Sequence, residues 1–119
     1  MIEELWHRYA RIWSLDGSRR EAEMAACLAP DVAYADPQIS LSGVRQLTDY
    51  MSAFGSSFPG HAFRINAVKT HHDRSIARWD LVDAAGGTVF PGISFGVVGG
   101  DGKFLSLSGF FGGIEGLLR

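Results

Sequence analysis

The sequence predicts an α+β domain in which N-terminal helices pack on a strongly curved antiparallel sheet. Apolar residues recur at spacings of three and four through the first half of the chain. From Pro59 onward the pattern changes to period two, and glycines fall inside the last of those stretches. The 119 residues suit one domain spanning 1–119, large enough to bury a core without staples.

The first helix carries Ile2, Leu5, Trp6, Tyr9, Ile12 and Trp13 on one broad face, with Glu3, Glu4, Arg8 and Arg11 on the other. Asp16-Gly17 ends it. A second helix is expected from Ser18, which has capping-box spacing to Glu21, and must stop near Ala29 because Pro30 follows. Val32-Ala33-Tyr34-Ala35 reads as a short extended piece ending at Asp36-Pro37. Ser42 is expected to open a third helix with Val44, Leu47, Tyr50, Met51 and Phe54 on its apolar face and Gly55 as its stop.

Four strands should follow: His61 to Thr70, Ser75 to Asp83, Thr88 to Val98 and Lys103 to Phe111. His72-Asp73, Gly86-Gly87 and the Gly99–Gly102 run supply hairpin chemistry between them. Gly92, Gly96 and Gly109 permit sharp curvature, and Pro91 marks a bulge or an edge. In the third of these strands Gly92, Ser94 and Gly96 share one face, which suits the floor of a pocket. Ile93, Phe95 and Val97 share the other and need cover. A homodimer through this outer face is expected, with the tail Gly112 to Arg119 as the competing cover.

Composition excludes several functions. A hydrophobic fraction of 46% with 20% charged residues is incompatible with disorder. The net charge of −2 comes without a basic stripe, which argues against nucleic-acid binding. Arg19-Arg20, the one adjacent basic pair, reads as a solvated helix start. Cys27 lies in a small-apolar helical run and reads as a buried structural thiol. No apolar run approaches membrane-spanning length and no signal-peptide pattern opens the chain, so a cytoplasmic protein without membrane contact is expected.

The sequence carries no metal or cofactor motif. His71-His72-Asp73 reads as a turn, because neighbouring strand residues face opposite ways and the two histidines should not share an ion. Gly100-Asp101-Gly102-Lys103 lacks the upstream glycine and the following hydroxyl residue of a phosphate loop.

Two residues are candidates for chemistry. Asp36, rigidly held before a proline, becomes a usable base or acid if it points into a cavity; as local sequence alone, Asp-Pro is ordinary turn chemistry. Tyr9, one helical turn from both Trp6 and Trp13, is either a donor to a ligand oxygen or a core aromatic. Trp13, Phe54, Trp79 and Phe111 are expected to wall the pocket. Alternation places Ala77, Trp79 and Leu81 inward, and Arg78 and Asp80 outward.

The order of these pieces resembles the nuclear transport factor 2-like superfamily, in its SnoaL-like polyketide cyclase and ketosteroid isomerase branches. Leu28-Ala29-Pro30-Asp31-Val32, Asp36-Pro37, Gly43, Pro59-Gly60-His61-Ala62-Phe63, Arg78-Trp79 and Gly109-Phe110-Phe111 carry the likeness, which covers nearly the whole chain. The resemblance implies a cone-like (cystatin-like) fold with a deep apolar pocket, often dimeric, taking a small apolar or cyclic molecule without a cofactor. In the isomerases an aspartate moves a proton while a tyrosine and a protonated aspartate hold the substrate oxygen. The resemblance puts Asp36 at the base and Tyr9 at the oxyanion tyrosine. Ser94 stands where the second acid would be, and serine is a weaker donor, which argues against steroid isomerisation. The superfamily also includes epoxide hydrolases, dehydratases and noncatalytic binding domains, so the fold alone does not choose a reaction.

Overall fold

Helix α1 (Ile2–Ile12) buries Trp6, Tyr9, Ala10 and Ile12, the face that its spacing predicts. In the computed structural model, which describes residues 1–113, α1 is followed by α2 (Gly17–Cys27), β1 (Leu28–Asp36), β2 (Ile39–Ser42) and α3 (Val44–Ser57). Then come β3 (Ala62–His71), β4 (Arg74–Val82), β5 (Thr88–Val98) and β6 (Phe104–Phe111).

The six strands form one open sheet in the order β2-β1-β6-β5-β4-β3. The β3–β6 meander is antiparallel throughout, as the hairpin breaks predict. Strand β1 joins it parallel to β6, which makes the whole sheet mixed. This pairing wedges the N-terminal half of the chain into the sheet and places Asp36 beside the end of the meander.

Curvature comes from register shifts. One interrupts each of the pairs β3–β4, β4–β5, β5–β6 and β1–β6. Each extra residue bends its strand and increases its twist. The shift in β1 spans Pro30, which has no N–H to give to a ladder. The one in β4–β5 leaves Val89 unpaired between Thr88 and Phe90, while Pro91 stays in register opposite Asp80. The helices fill the concave face, and Trp6, Ile12, Met24, Leu28, Leu47, Met51 and Phe104 are fully buried there.

Several local expectations are corrected. The capping box does not form: α2 begins at Gly17 with Asp16 as its N-cap and no side-chain cap bond, so Ser18 is already inside the helix. Strand β1 starts at Leu28, directly after α2, and takes in Pro30. Ser42 ends the short strand β2 instead of opening α3. Gly43 makes the change of direction at φ 91°, a conformation that side-chain-bearing residues avoid. Gly55 does not stop α3, which runs on to Ser57 and closes with the Phe58 N–H on the Phe54 carbonyl at 2.8 Å.

Arg20 is not solvated. Its buried guanidinium donates to the Leu15 carbonyl, to the Ile12 carbonyl at 3.4 Å and to Ser52 Oγ at 2.8 Å. It therefore satisfies carbonyls left over at the end of α1 while tying them to α3. Arg8 and Glu23 form a two-bond ion pair between α1 and α2, at 2.6 and 2.8 Å. Cys27 is buried, in keeping with its run of small apolar neighbours.

The two histidines of the β3–β4 turn do meet. His72 adopts φ 53°, which turns its ring toward His71 and brings the two Nδ1 atoms to 3.4 Å. Strand alternation does not hold at a left-handed residue. Among the described residues no three metal-ligating side chains gather at one place.

Candidate functional site

Between the helices and the concave face of the sheet lies a cavity of about 200 Å³. Helix α1 supplies Trp6, Tyr9, Ala10 and Trp13, the last just beyond its end. Helix α3 supplies Tyr50 and Phe54, and Phe58 follows it. Strands β3 to β6 supply Phe63, Ile65, Trp79, Phe90, Ser94, Leu107, Gly109 and Phe111. Tyr34, Asp36 and Gln38 enter from β1 and the turn after it. All seven residues expected at the site from sequence, Asp36, Tyr9, Trp13, Phe54, Trp79, Ser94 and Phe111, line this one cavity.

The aromatic rings form two connected walls. On one, Trp13 contacts Tyr34, Tyr50, Phe54 and Phe63 with ring centroids 5.4–6.0 Å apart. On the other, Trp79, Phe90 and Phe111 touch at 5.7–6.4 Å. Phe63 joins them by standing edge-on to Trp79 at 5.1 Å. These are tilted and edge-to-face arrangements, the ones that ring quadrupoles favour.

The glycine/serine face of β5 forms the floor, as alternation predicts. A Cβ on Gly92 would lie 2.0 Å from the Trp79 ring, so the indole rests directly on bare backbone. That position lets Trp79 Nε1 donate to Ser94 Oγ at 2.9 Å. With one lone pair used as an acceptor, the Ser94 hydroxyl keeps its own proton for another partner. Gly109 separates Ser94 from Asp36: a Cβ there would lie 3.2 Å from Ser94 Oγ and 3.7 Å from Asp36 Cβ.

Asp36 is the one charged residue among the lining side chains. Tyr34 donates to its Oδ2 at 2.7 Å and Tyr50 donates to the same atom at 2.8 Å. The Gln38 backbone N–H donates to Oδ1 at 2.9 Å, an Asx turn that realises the turn chemistry of Asp-Pro. A carboxylate has roughly four acceptor sites, so these bonds fill Oδ2 and leave one site on Oδ1. Tyr34 spends its proton on Asp36, as does Tyr50, whose hydroxyl also lies 3.5 Å from Gln38 Oε1. Burial foremost, together with the bonded carboxylate, pushes the Tyr34 and Tyr50 hydroxyls far above the usual phenol range, so they stay donors.

Tyr9 is not part of this clamp. It is buried edge-on against Trp6 at 6.0 Å and Phe104 at 5.7 Å, with burial pushing its hydroxyl well above the usual range. Tyr9 and Ser94 are thus the hydroxyls of the cavity that do not bond Asp36.

The Tyr34–Asp36–Tyr50 clamp went unpredicted, although half of it was visible. Val32, Tyr34 and Asp36 are two apart in one strand and must share a face. Helical spacing puts Tyr50 on the apolar face of α3, but its bond to Asp36 depends on how α3 crosses β1. Phe63 and Phe90 carried no signal beyond strand alternation. Arg78 and Asp80 point away from the cavity, and Asp80 accepts from Arg64 at 2.9 Å across β3–β4.

The family model for the SnoaL-like domain matches residues 6–107. Among solved structures, the chain is similar to a SnoaL-like family protein from Agrobacterium tumefaciens, itself only proposed to be an isomerase, at TM-score 0.85 and 21% identity. That match covers 92% of this chain and 96% of the other. A SnoaL-like protein of unknown function from Burkholderia thailandensis matches at TM-score 0.74 and 14% identity, over 93% and 94% of the two chains. A proposed SnoaL-like polyketide cyclase from Jannaschia sp. CCS1 matches at TM-score 0.71 and 14% identity, over 92% and 85%. No protein with a curated description matches the chain. Such identities carry the fold and not the reaction. The family-model match covers most of the sequence, and the chain belongs to the SnoaL-like domain family.

Proposed function

We propose that this domain binds a small apolar, cyclic molecule in the aromatic cavity and uses Asp36 to move a proton next to a carbonyl of that ligand. The observation that carries this reading is the division of labour among the polar groups. Asp36 keeps one acceptor site on Oδ1, while Tyr9 and Ser94 hold hydroxyls outside its clamp. Such an arrangement offers a base on one side of a carbonyl and oxygen donors on the other. The rings exclude water and supply most of the contact area.

The measurement is deuterium wash-in from heavy water at the carbon next to the carbonyl of 2-tetralone, followed by NMR. Wild-type protein should accelerate exchange over buffer. Asp36→Asn should reduce the acceleration by about 100-fold or more while 2-tetralone still binds. Undiminished exchange in Asp36→Asn would remove Asp36 from the role.

A second reading, a noncatalytic container, is favoured by the Asx turn, which gives Asp36 a structural duty of its own. In that case 2-tetralone binds and no exchange is accelerated.

We also propose a homodimer through the outer face of the sheet. Phe95 is 46% exposed and Phe110 54%, and their rings meet edge-on at 5.9 Å. Beside them runs a shallow groove lined by Ala33, Ala35, Ser106 and Ser108. A ridge of rings next to a trough of small side chains is self-complementary about a two-fold axis. The competing cover, the tail from Gly112, lies mostly outside the described residues. Native mass spectrometry should find twice the chain mass of 12.9 kDa, and Phe110→Glu should return it to one. A wild-type monomer at micromolar concentration would overturn the dimer.

A further inference from the structure

The polar groups around Asp36 are oriented in a way that selects the ligand's charge. Tyr34 and Tyr50 both point their protons at Asp36, so each turns oxygen lone pairs to any third group that approaches. Asp36 keeps one free acceptor site on Oδ1. This end of the cavity therefore offers as acceptors Asp36 Oδ1, the two tyrosine oxygens and Gln38 Oε1, and as donors the neutral Gln38 amide and Ser94 hydroxyl, with no cation among the described residues there. Among the described lining residues Asp36 is the one formal charge, and none is Lys, Arg or His. The His61 ring stands edge-on to Phe58 at 5.4 Å and is not itself a lining residue. Eleven of the 18 lining residues are aromatic, and ring faces carry partial negative charge.

From this we infer that the cavity takes an apolar amine, its ammonium on Asp36 Oδ1 and its ring body against Trp79 and Phe63. An ammonium brings three donors to a cluster of acceptors, neutralises the single charge and is attracted by the ring faces. A carboxylate or phosphate meets a like charge, with no cation in the lining to offset it. A neutral ketone fits the rings and can accept from Tyr9 or Ser94, but it brings no donor to Asp36 Oδ1. The inference rests on the cavity being a small-molecule site, and not on Asp36 moving a proton.

Three probes of matched shape test it by calorimetry at pH 7: 2-aminotetralin, 2-tetralone and tetralin-2-carboxylate. The amine should bind at least roughly tenfold tighter than the carboxylate. Asp36→Asn should erase that preference by weakening the amine and strengthening the carboxylate, while 2-tetralone changes by less than about twofold. If Asp36→Asn fails to fold, the amine-over-carboxylate preference of the wild-type protein carries the test by itself. Carboxylate binding equal to or tighter than the amine overturns the inference, as does a preference that survives in folded Asp36→Asn. Binding of 2-tetralone without any amine preference overturns this inference alone. Failure of all three probes to bind overturns the ligand-site reading with it.

Discussion

Replacing Trp6 by alanine will destabilise the domain by about 4 kcal/mol, in the range for emptying a large buried aromatic site. The Trp6 side chain is 1% exposed and stands against Phe104 at a ring distance of 4.8 Å and against Tyr9 at 6.0 Å. Its indole N–H donates to the buried Ser75 Oγ at 2.8 Å, from α1 to β4. Truncation leaves Ser75 with its long contact to the Gly96 carbonyl, at 3.5 Å. It also leaves a void that the flat backbone at Gly96 cannot fill, since Gly96 carries no side chain and lies under Trp6 itself. For a domain of this size the whole unfolding free energy is about 6–18 kcal/mol, so the loss is a large fraction of it. Thermal unfolding should fall by about 15 °C. Trp6→Phe keeps most of the ring contact and loses the Ser75 bond, at a cost of about 1–3 kcal/mol. A Trp6→Ala protein that melts within two or three degrees of wild type would show that α1 does not anchor the sheet as described.

Gly92→Ala should be nearly as damaging, by the opposite mechanism. The new methyl would lie 2.0, 2.3 and 2.5 Å from three atoms of the Trp79 ring, far inside any tolerated contact. The indole cannot simply lean away. It is bonded to Ser94 at 2.9 Å and held edge-on by Phe63 at 5.1 Å. Either Trp79 leaves its rotamer or β5 shifts, and overpacking of this kind costs about 3 kcal/mol. The cavity changes with it, because Trp79 and Ser94 are both lining residues. On the proposed reading, 2-tetralone binding should therefore fall along with stability, and the tryptophan fluorescence spectrum should shift. A double-mutant cycle gives the decisive reading. In a Trp79→Ala background the cost of Gly92→Ala should largely disappear, because the clash has lost its partner. Additive costs would mean that the methyl disturbs something other than Trp79.

These two sites differ in how legible they were. Trp6 was predicted inward by helical spacing, and Trp79 and Ser94 by strand alternation, because both periodicities follow from backbone geometry alone. What Trp6 and Trp79 bond to was not predicted. Ser75 is 69 positions from Trp6, and no local pattern encodes a contact of that separation. The early termini of α2 and the continuation of α3 through Gly55 were missed because capping residues state a preference that packing overrides. The His71–His72 contact was missed because period-two reasoning fails at a residue with φ 53°.

The short strand β2 escaped the sequence, which by itself determined the three helices, the strongly curved four-strand meander and the inward-facing residues of those elements. All of these follow from short-range periodicity, turn chemistry and the placement of glycines, which act within a few residues. Only the tertiary structure decided what Asp36 is bonded to. The parallel pairing of β1 with β6 places its carboxylate beside the meander, and the crossing of α3 brings Tyr50 to the same oxygen that Tyr34 already holds. A hydroxyl has one proton to give. Once two of them are committed to Asp36, each tyrosine has only lone pairs left for a further partner.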